Sequence, residues 1–177
     1  PIEKTKVIHL GAEHILGYSK STKKINCIKK PFILYVGSRV KYKNFKLLAK
    51  AIAKSQLIKD NLDVVCFGGG NFSKEEKEYF NKNKMIKNFV VLSGDDNILA
   101  KLYSEAKALV FTSFYEGFGL PIVEAMASKC PVFVSDIDIA KEICLSSVEY
   151  FDNQDSDDLK AKLENTIFDS EKLKVLA

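Results

Sequence analysis

With 177 residues, 46% hydrophobic and 28% charged side chains, the chain is long enough for one sizeable core and mixed enough to be globular. Its net charge of +4 is spread along the sequence, which argues against the dense basic stripe of a nucleic-acid binder. No apolar run reaches the ~18 residues of a membrane span, and no signal-peptide pattern opens the sequence.

Residues 1–30 are lysine-rich and weakly patterned, with only Val7-Ile8-His9-Leu10 reading as a short strand, so this stretch is expected to be an interdomain lead-in. From residue 31 to 177 a single domain is expected. Phe32-Ile33-Leu34-Tyr35-Val36 is a continuous apolar run suited to a strand buried on both faces. Phe45, Leu47, Leu48, Ala51 and Ile52 then recur at helical spacing. Residues 63–67 read as the next strand, ended by Gly68-Gly69-Gly70. Ser73, with Glu76 three residues on, predicts a capping box and a helix start. Residues 89–92 form a third strand, and Asp95 or Asp96 can cap a helix carrying Ile98, Leu99, Leu102 and Tyr103. Strands at 108–111 and 132–134 flank a helix from about Leu120. A short strand at 148–151 and a helix over 156–168 close the pattern. Strand and helix in alternation predict an α/β fold: a Rossmann-like, doubly wound parallel sheet of about six strands with helices on both faces.

The cysteines, Cys27, Cys66, Cys130 and Cys144, are scattered and make no C-x-x-C; they read as small buried hydrophobes in a reducing compartment. His9 and His14, with Glu13, do not make H-E-x-x-H, so no zinc site is expected.

Chemistry concentrates between Thr112 and Ala127. Glu116 and Glu124 stand eight residues apart where a strand turns into a helix, the edge at which open α/β sheets bind ligands. Gly117 and Gly119 allow close approach of backbone to a ligand, and Pro121 suits the first helical turn. The helix N-terminus near Gly119 and Leu120 can hold an anion such as phosphate. Carboxylates only accept hydrogen bonds and suit vicinal hydroxyls. Two of them bracketing an anion site fit a ligand with hydroxyls at both ends, as a nucleoside-diphosphate sugar has. The first strand ends at Gly37, followed by Arg39 and Lys43, two cations suited to the diphosphate. Taken singly, these features also read as a solvated helix cap, a polar turn and a glycine turn. Their common place at the carboxyl ends of strands points to a ligand.

The run Phe114-Tyr115-Glu116-Gly117-Phe118-Gly119-Leu120-Pro121-Ile122-Val123-Glu124-Ala125-Met126-Ala127 resembles the E-x7-E segment in the C-terminal, donor-binding domain of family 4 retaining glycosyltransferases, one half of a GT-B enzyme. Phe67-Gly68-Gly69-Gly70, Leu92-Ser93-Gly94-Asp95-Asp96 and Tyr150-Phe151-Asp152 resemble that domain's other strand-end turns. The resemblance implies Glu116 at the donor sugar, Glu124 at the ribose, and backbone N–H groups of Phe118, Gly119 and Leu120 at sugar and diphosphate. It also implies Arg39 and Lys43 at the diphosphate, and Gly94 and Leu99 near the base. It implies a UDP- or GDP-sugar donor, a glycan or lipid-linked acceptor, retention by front-face attack, and no metal or other cofactor. Ser38 stands where the family usually has arginine, which places the first cation one residue later. The family's N-terminal acceptor domain is expected to be absent from this stretch, leaving it unable to turn over alone. A non-catalytic nucleotide-binding subunit paired with a separate acceptor chain is the alternative. The cytoplasm is the expected location, with the lysines of residues 20–30 leaving contact with an anionic inner membrane face open.

Overall fold

The computed structural model describes residues 10–16 and 27–177, so the strand expected at 7–10 falls, apart from Leu10, outside the described residues. The sheet consists of β1 (Phe32–Val36), β2 (Asp63–Phe67), β3 (Phe89–Leu92), β4 (Ala108–Phe111), β5 (Val132–Ser135) and β6 (Glu149–Phe151). All neighbours pair in parallel, in the order β3-β2-β1-β4-β5-β6. The helices, in chain order, are α1 (Glu13–Leu16), α2 (Phe45–Lys54), α3 (Gln56–Asn61), α4 (Lys74–Lys82), α5 (Asp96–Glu105), α6 (Leu120–Ala127), α7 (Asp138–Cys144), α8 (Ser156–Ile167) and α9 (Ser170–Val175).

Two cores sandwich the sheet, and β1 feeds both. Ile33 and Tyr35 join the face covered by α2, α3, α4 and α8, whereas Phe32 and Leu34 join the face covered by α1, α5, α6 and α7. Burial on both faces explains why β1 is an unbroken apolar run rather than an alternating one. The expected doubly wound sheet is what the chain forms.

Local rules set the helix starts. Ser73 and Glu76 make the expected capping box: Ser73 Oγ accepts from the Glu76 N–H at 3.2 Å, and Glu76 Oε2 accepts from the Ser73 N–H at 2.7 Å. Asp95, rather than Asp96, caps α5 by accepting from the Ile98 N–H at 3.1 Å. Ser55 ends α2 and starts α3, accepting from the Ile58 N–H at 3.0 Å and donating to Glu164 of α8 at 2.5 Å. Sequence patterning predicts no element between β5 and β6. The structure puts α7 there, because parallel neighbours need a crossover.

An aromatic box packs the β2–β3 end of one core. Phe80 and Phe89 stack at 4.1 Å between ring centroids, and Phe45 meets them edge-on at 6.4 and 6.2 Å. The only exposed cysteine is Cys27; Cys66, Cys130 and Cys144 are buried free thiols, and burial pushes the Cys130 thiol up to about 12. Phe80 is 1% exposed and central to the box, so Phe80→Ala is expected to cost about 3–5 kcal/mol. Urea unfolding should show a lower midpoint at unchanged slope; a loss under 1 kcal/mol would mean the box is loosely packed.

Candidate functional site

The loops after β1 and β4 leave the same edge of the sheet side by side, because these strands are neighbours. They are tied at three points. Phe114 N–H donates to the Tyr42 carbonyl at 2.8 Å, Thr112 Oγ1 donates to the Lys43 carbonyl at 2.7 Å, and the rings of Tyr42 and Tyr115 stack at 5.0 Å. Across this seam Lys43 Nζ donates to Glu116 Oε1 at 2.5 Å, and Ser113 Oγ donates to the same oxygen at 2.6 Å. The two charged side chains are 17% and 12% exposed, so solvent screens them only in part. Glu116 Oε2 has no hydrogen-bond partner among the described residues. Lys43 has three N–H donors and the pair uses one.

Arg39 departs from the expectation that it joins Lys43 at a diphosphate. Its Nε donates to Glu76 Oε1 at 2.9 Å, and its Nη2 donates to the carbonyls of Gly70 and Asn71 at 2.9 and 2.8 Å. The guanidinium lies over the Phe72 ring at 4.8 Å, and the side chain is 5% exposed. It clamps the glycine turn after β2 to the start of α4. That turn runs against the β1 loop so closely that a Cβ on Gly69, at φ +71°, would stand 2.8 Å from the Gly37 carbonyl oxygen. Gly37 itself borders open space, and its N–H continues the ladder to the Phe67 carbonyl at 2.9 Å.

Gly119 starts α6 at φ +95°, a left-handed conformation that suits glycine, with Pro121 in the first turn as expected. Phe118 is half-buried, Gly119 buried, and Leu120 exposed at the helix mouth. Gly94 lies between β3 and α5, where a Cβ would press on the Ile98 side chain at 2.5 Å. Leu99 is buried in the core of the α5 face.

Glu124 sits one turn into α6, 7% exposed, and faces α5 and α1. Its Oε2 accepts from the Tyr103 hydroxyl at 2.8 Å, and its Oε1 is 3.0 Å from His14 Nε2. Burial first, and the Glu124 carboxylate second, push the Tyr103 phenol well above its ordinary value. Sequence spacing puts Tyr103 on its helix beside Leu99, in the junction that resembles the family's, and sets His14 only against a metal-ligand pattern. Neither signal reveals the Glu124 contact, which joins residues 21 and 110 positions apart.

The two acids therefore occupy neighbouring but separate surroundings. Glu116 lines a cavity of about 1000 Å³ together with Tyr115, Asp136, Asp138, Tyr150 and Asp152, at the β4, β5 and β6 ends of the sheet. A second cavity of about 560 Å³ lies beside Arg39, Phe45 and Glu76. Glu124 lines neither. Glu116 reaches back from a loop to β1, while the helical turn carries Glu124 round to α5.

Residues 19–177 match the family described as glycosyl transferases group 1. The chain is similar to the O-antigen chain mannosyltransferase RfbU of Salmonella typhimurium, 44% identical over 69 residues, which is 39% of this chain and 20% of that protein. It is also 34% identical over 109 residues to N-acetylgalactosamine-N,N'-diacetylbacillosaminyl-diphospho-undecaprenol 4-alpha-N-acetylgalactosaminyltransferase of Campylobacter jejuni, covering 62% of this chain and 29% of that one. Among solved structures, the C-terminal domain of a glycosyl transferase group 1 family protein, LpcC of Francisella tularensis, superposes with a TM-score of 0.76 at 21% identity, covering 92% of this chain and 91% of that one. The matched stretches cover less than a third of the length of these curated relatives. With the E-x7-E segment at the strand-to-helix junction and this family match over most of its length, the chain belongs to the glycosyl transferases group 1 family and has the Rossmann-like architecture of a GT-B C-terminal domain.

Proposed function

We propose that this chain is the donor-binding half of an enzyme that moves a hexose, with retention, from a UDP- or GDP-sugar to a glycan or lipid-linked acceptor. The observation that carries the reading is the Lys43–Glu116 pair, set where the β1 and β4 loops part at the carboxyl edge of the sheet. Lys43 keeps two N–H donors for diphosphate oxygens, and Glu116 keeps Oε2 for sugar hydroxyls. The N–H groups of Phe118, Gly119 and Leu120 and the dipole of α6 add positive potential beside them. Gly37 leaves room for the phosphates, Glu124 takes the ribose, and the turn at Gly94, with Leu99 beneath it, borders the base.

During transfer the bond from the anomeric carbon to the β-phosphate oxygen breaks, the acceptor hydroxyl oxygen bonds on the same face, and its proton passes to the departing phosphate oxygen. Negative charge grows on the departing diphosphate, and Lys43 offsets it. No step needs a metal. Arg39 acts at one remove, holding the β2 turn against the β1 loop. The mannosyltransferase name of the Salmonella relative favours a mannosyl donor, and the Campylobacter relative's name favours a lipid-linked acceptor. Turnover needs an acceptor-binding domain across the cleft, since positioning both reactants supplies much of the barrier reduction. Among the described residues no helix is long and apolar enough to cross a membrane. The cytoplasm, or the inner membrane face, is the proposed location.

Calorimetric titration of the chain with UDP and GDP should show millimolar or tighter binding of at least one, and Glu124→Ala should weaken it about tenfold, the scale of one hydrogen bond to a charged group. Absence of binding at millimolar nucleotide would remove the reading. Lys43→Ala should likewise lower diphosphate affinity about tenfold; it also leaves Glu116, 12% exposed, held only by Ser113, so the thermal midpoint should fall as well. Arg39→Ala should instead cost about 3–5 kcal/mol of stability, as breaking a buried ion pair does. Equal affinity losses at unchanged stability would return Arg39 to the diphosphate.

A further inference from the structure

The Glu124 carboxylate is oriented from outside its own helix. Tyr103, on α5, is fully buried and donates to Oε2 at 2.8 Å. Oε1 points the other way, to His14, whose side chain is 47% exposed. Oε2 is thus held inward by Tyr103, while Oε1 lies against the half-exposed imidazole of His14. The terminal torsion of a glutamate is broad, so a carboxylate without an anchor samples many orientations. The phenol stays protonated, because burial and the adjacent carboxylate oppose its ionisation, and it therefore donates at all ordinary pH values. Its ring packs in the core shared by Leu102, Ile122 and Ala125, a task that phenylalanine would also perform. What the hydroxyl adds is the bond to Glu124.

We propose that Tyr103 is a positioning residue for nucleotide recognition: its hydroxyl anchors Oε2 of Glu124 and so presents Oε1 to the vicinal hydroxyls of a ribose. This rests on the reading that Glu124 takes the ribose. Anchoring in advance removes an ordering cost that binding would otherwise carry. The role is specific to the sugar hydroxyls, and that separates it from a general contribution to the fold.

The test is calorimetric titration of the whole chain with UDP and 2′-deoxy-UDP, and with GDP and 2′-deoxy-GDP, using the base that binds better. The parent chain should prefer the ribonucleotide. Tyr103→Phe should lower ribonucleotide affinity about tenfold and leave deoxynucleotide affinity nearly unchanged, so that the preference collapses. Equal weakening of both nucleotides would mean a structural role and overturn the proposal. His14→Ala provides a second test, independent of whether the tyrosine variant folds. With Tyr103 as the anchor, Oε1 stays presented when His14 is removed, and the preference for the ribonucleotide should persist. Its collapse in that variant would make His14 the group that orients the carboxylate and refute the proposal. If Glu124→Ala itself leaves the preference intact, the ribose reading fails. If Glu124→Ala abolishes it and Tyr103→Phe does not, only the positioning role fails.

Discussion

The adjacency of β1 and β4 is the constraint on which the rest of the molecule depends. Strand order runs outward from β1 in one direction through β2 and β3, and from β4 in the other through β5 and β6. The chain after β1 turns to α2 on one face, and the chain after β4 turns to α6 on the opposite face. Loops that part in this way open a crevice at the carboxyl edge, the place where doubly wound sheets bind nucleotides. Here the seam is closed below by backbone and hydroxyl bonds and crossed by Lys43 and Glu116. A cation and a carboxylate are thereby held ready without either being buried unpaired, which would cost several kcal/mol.

The two cations of the β1 loop divide the labour. Lys43 sits at the seam with donors to spare. Arg39 turns back under the loop, and its planar fork satisfies two carbonyls of the β2 turn and the Glu76 carboxylate while stacking on Phe72. Glu76 also closes the capping box of α4, so one carboxylate joins a helix start to the clamp. A point charge on a flexible stem suits a ligand that comes and goes; a rigid fork suits a fixed turn. The chemical difference between lysine and arginine accounts for which of them faces the crevice.

Glu124 shows how the second core reaches the site. Ala12 and Ile15 of the α1 segment are buried in the same core as Tyr103 and Ile122, and His14 between them meets Glu124. The lead-in to the domain is thus packed against the helix that carries the acid. Although its sequence is weakly patterned, the described part of residues 1–30 docks through Ala12, His14 and Ile15 and again through Ile28, Lys29 and Lys30.

Much of the fold was legible because it is local. An apolar run of five residues names a strand buried on both faces, Ser73 with Glu76 names a helix start, and Gly119 with Pro121 names another. The short α1, α3, α7 and α9 carry no such signal, since one or two turns hold too few apolar positions to set a period. The E-x7-E run marked the site's neighbourhood for the same reason: it is contiguous. What only the tertiary structure decided is which side chain meets which. Lys43 and Glu116 are 73 residues apart, and His14 and Glu124 are 110 apart. Partners at such separation are chosen by strand order and by the face on which each helix packs. Local propensity is silent on both, and so the sequence named the charges while the packed sheet assigned their partners.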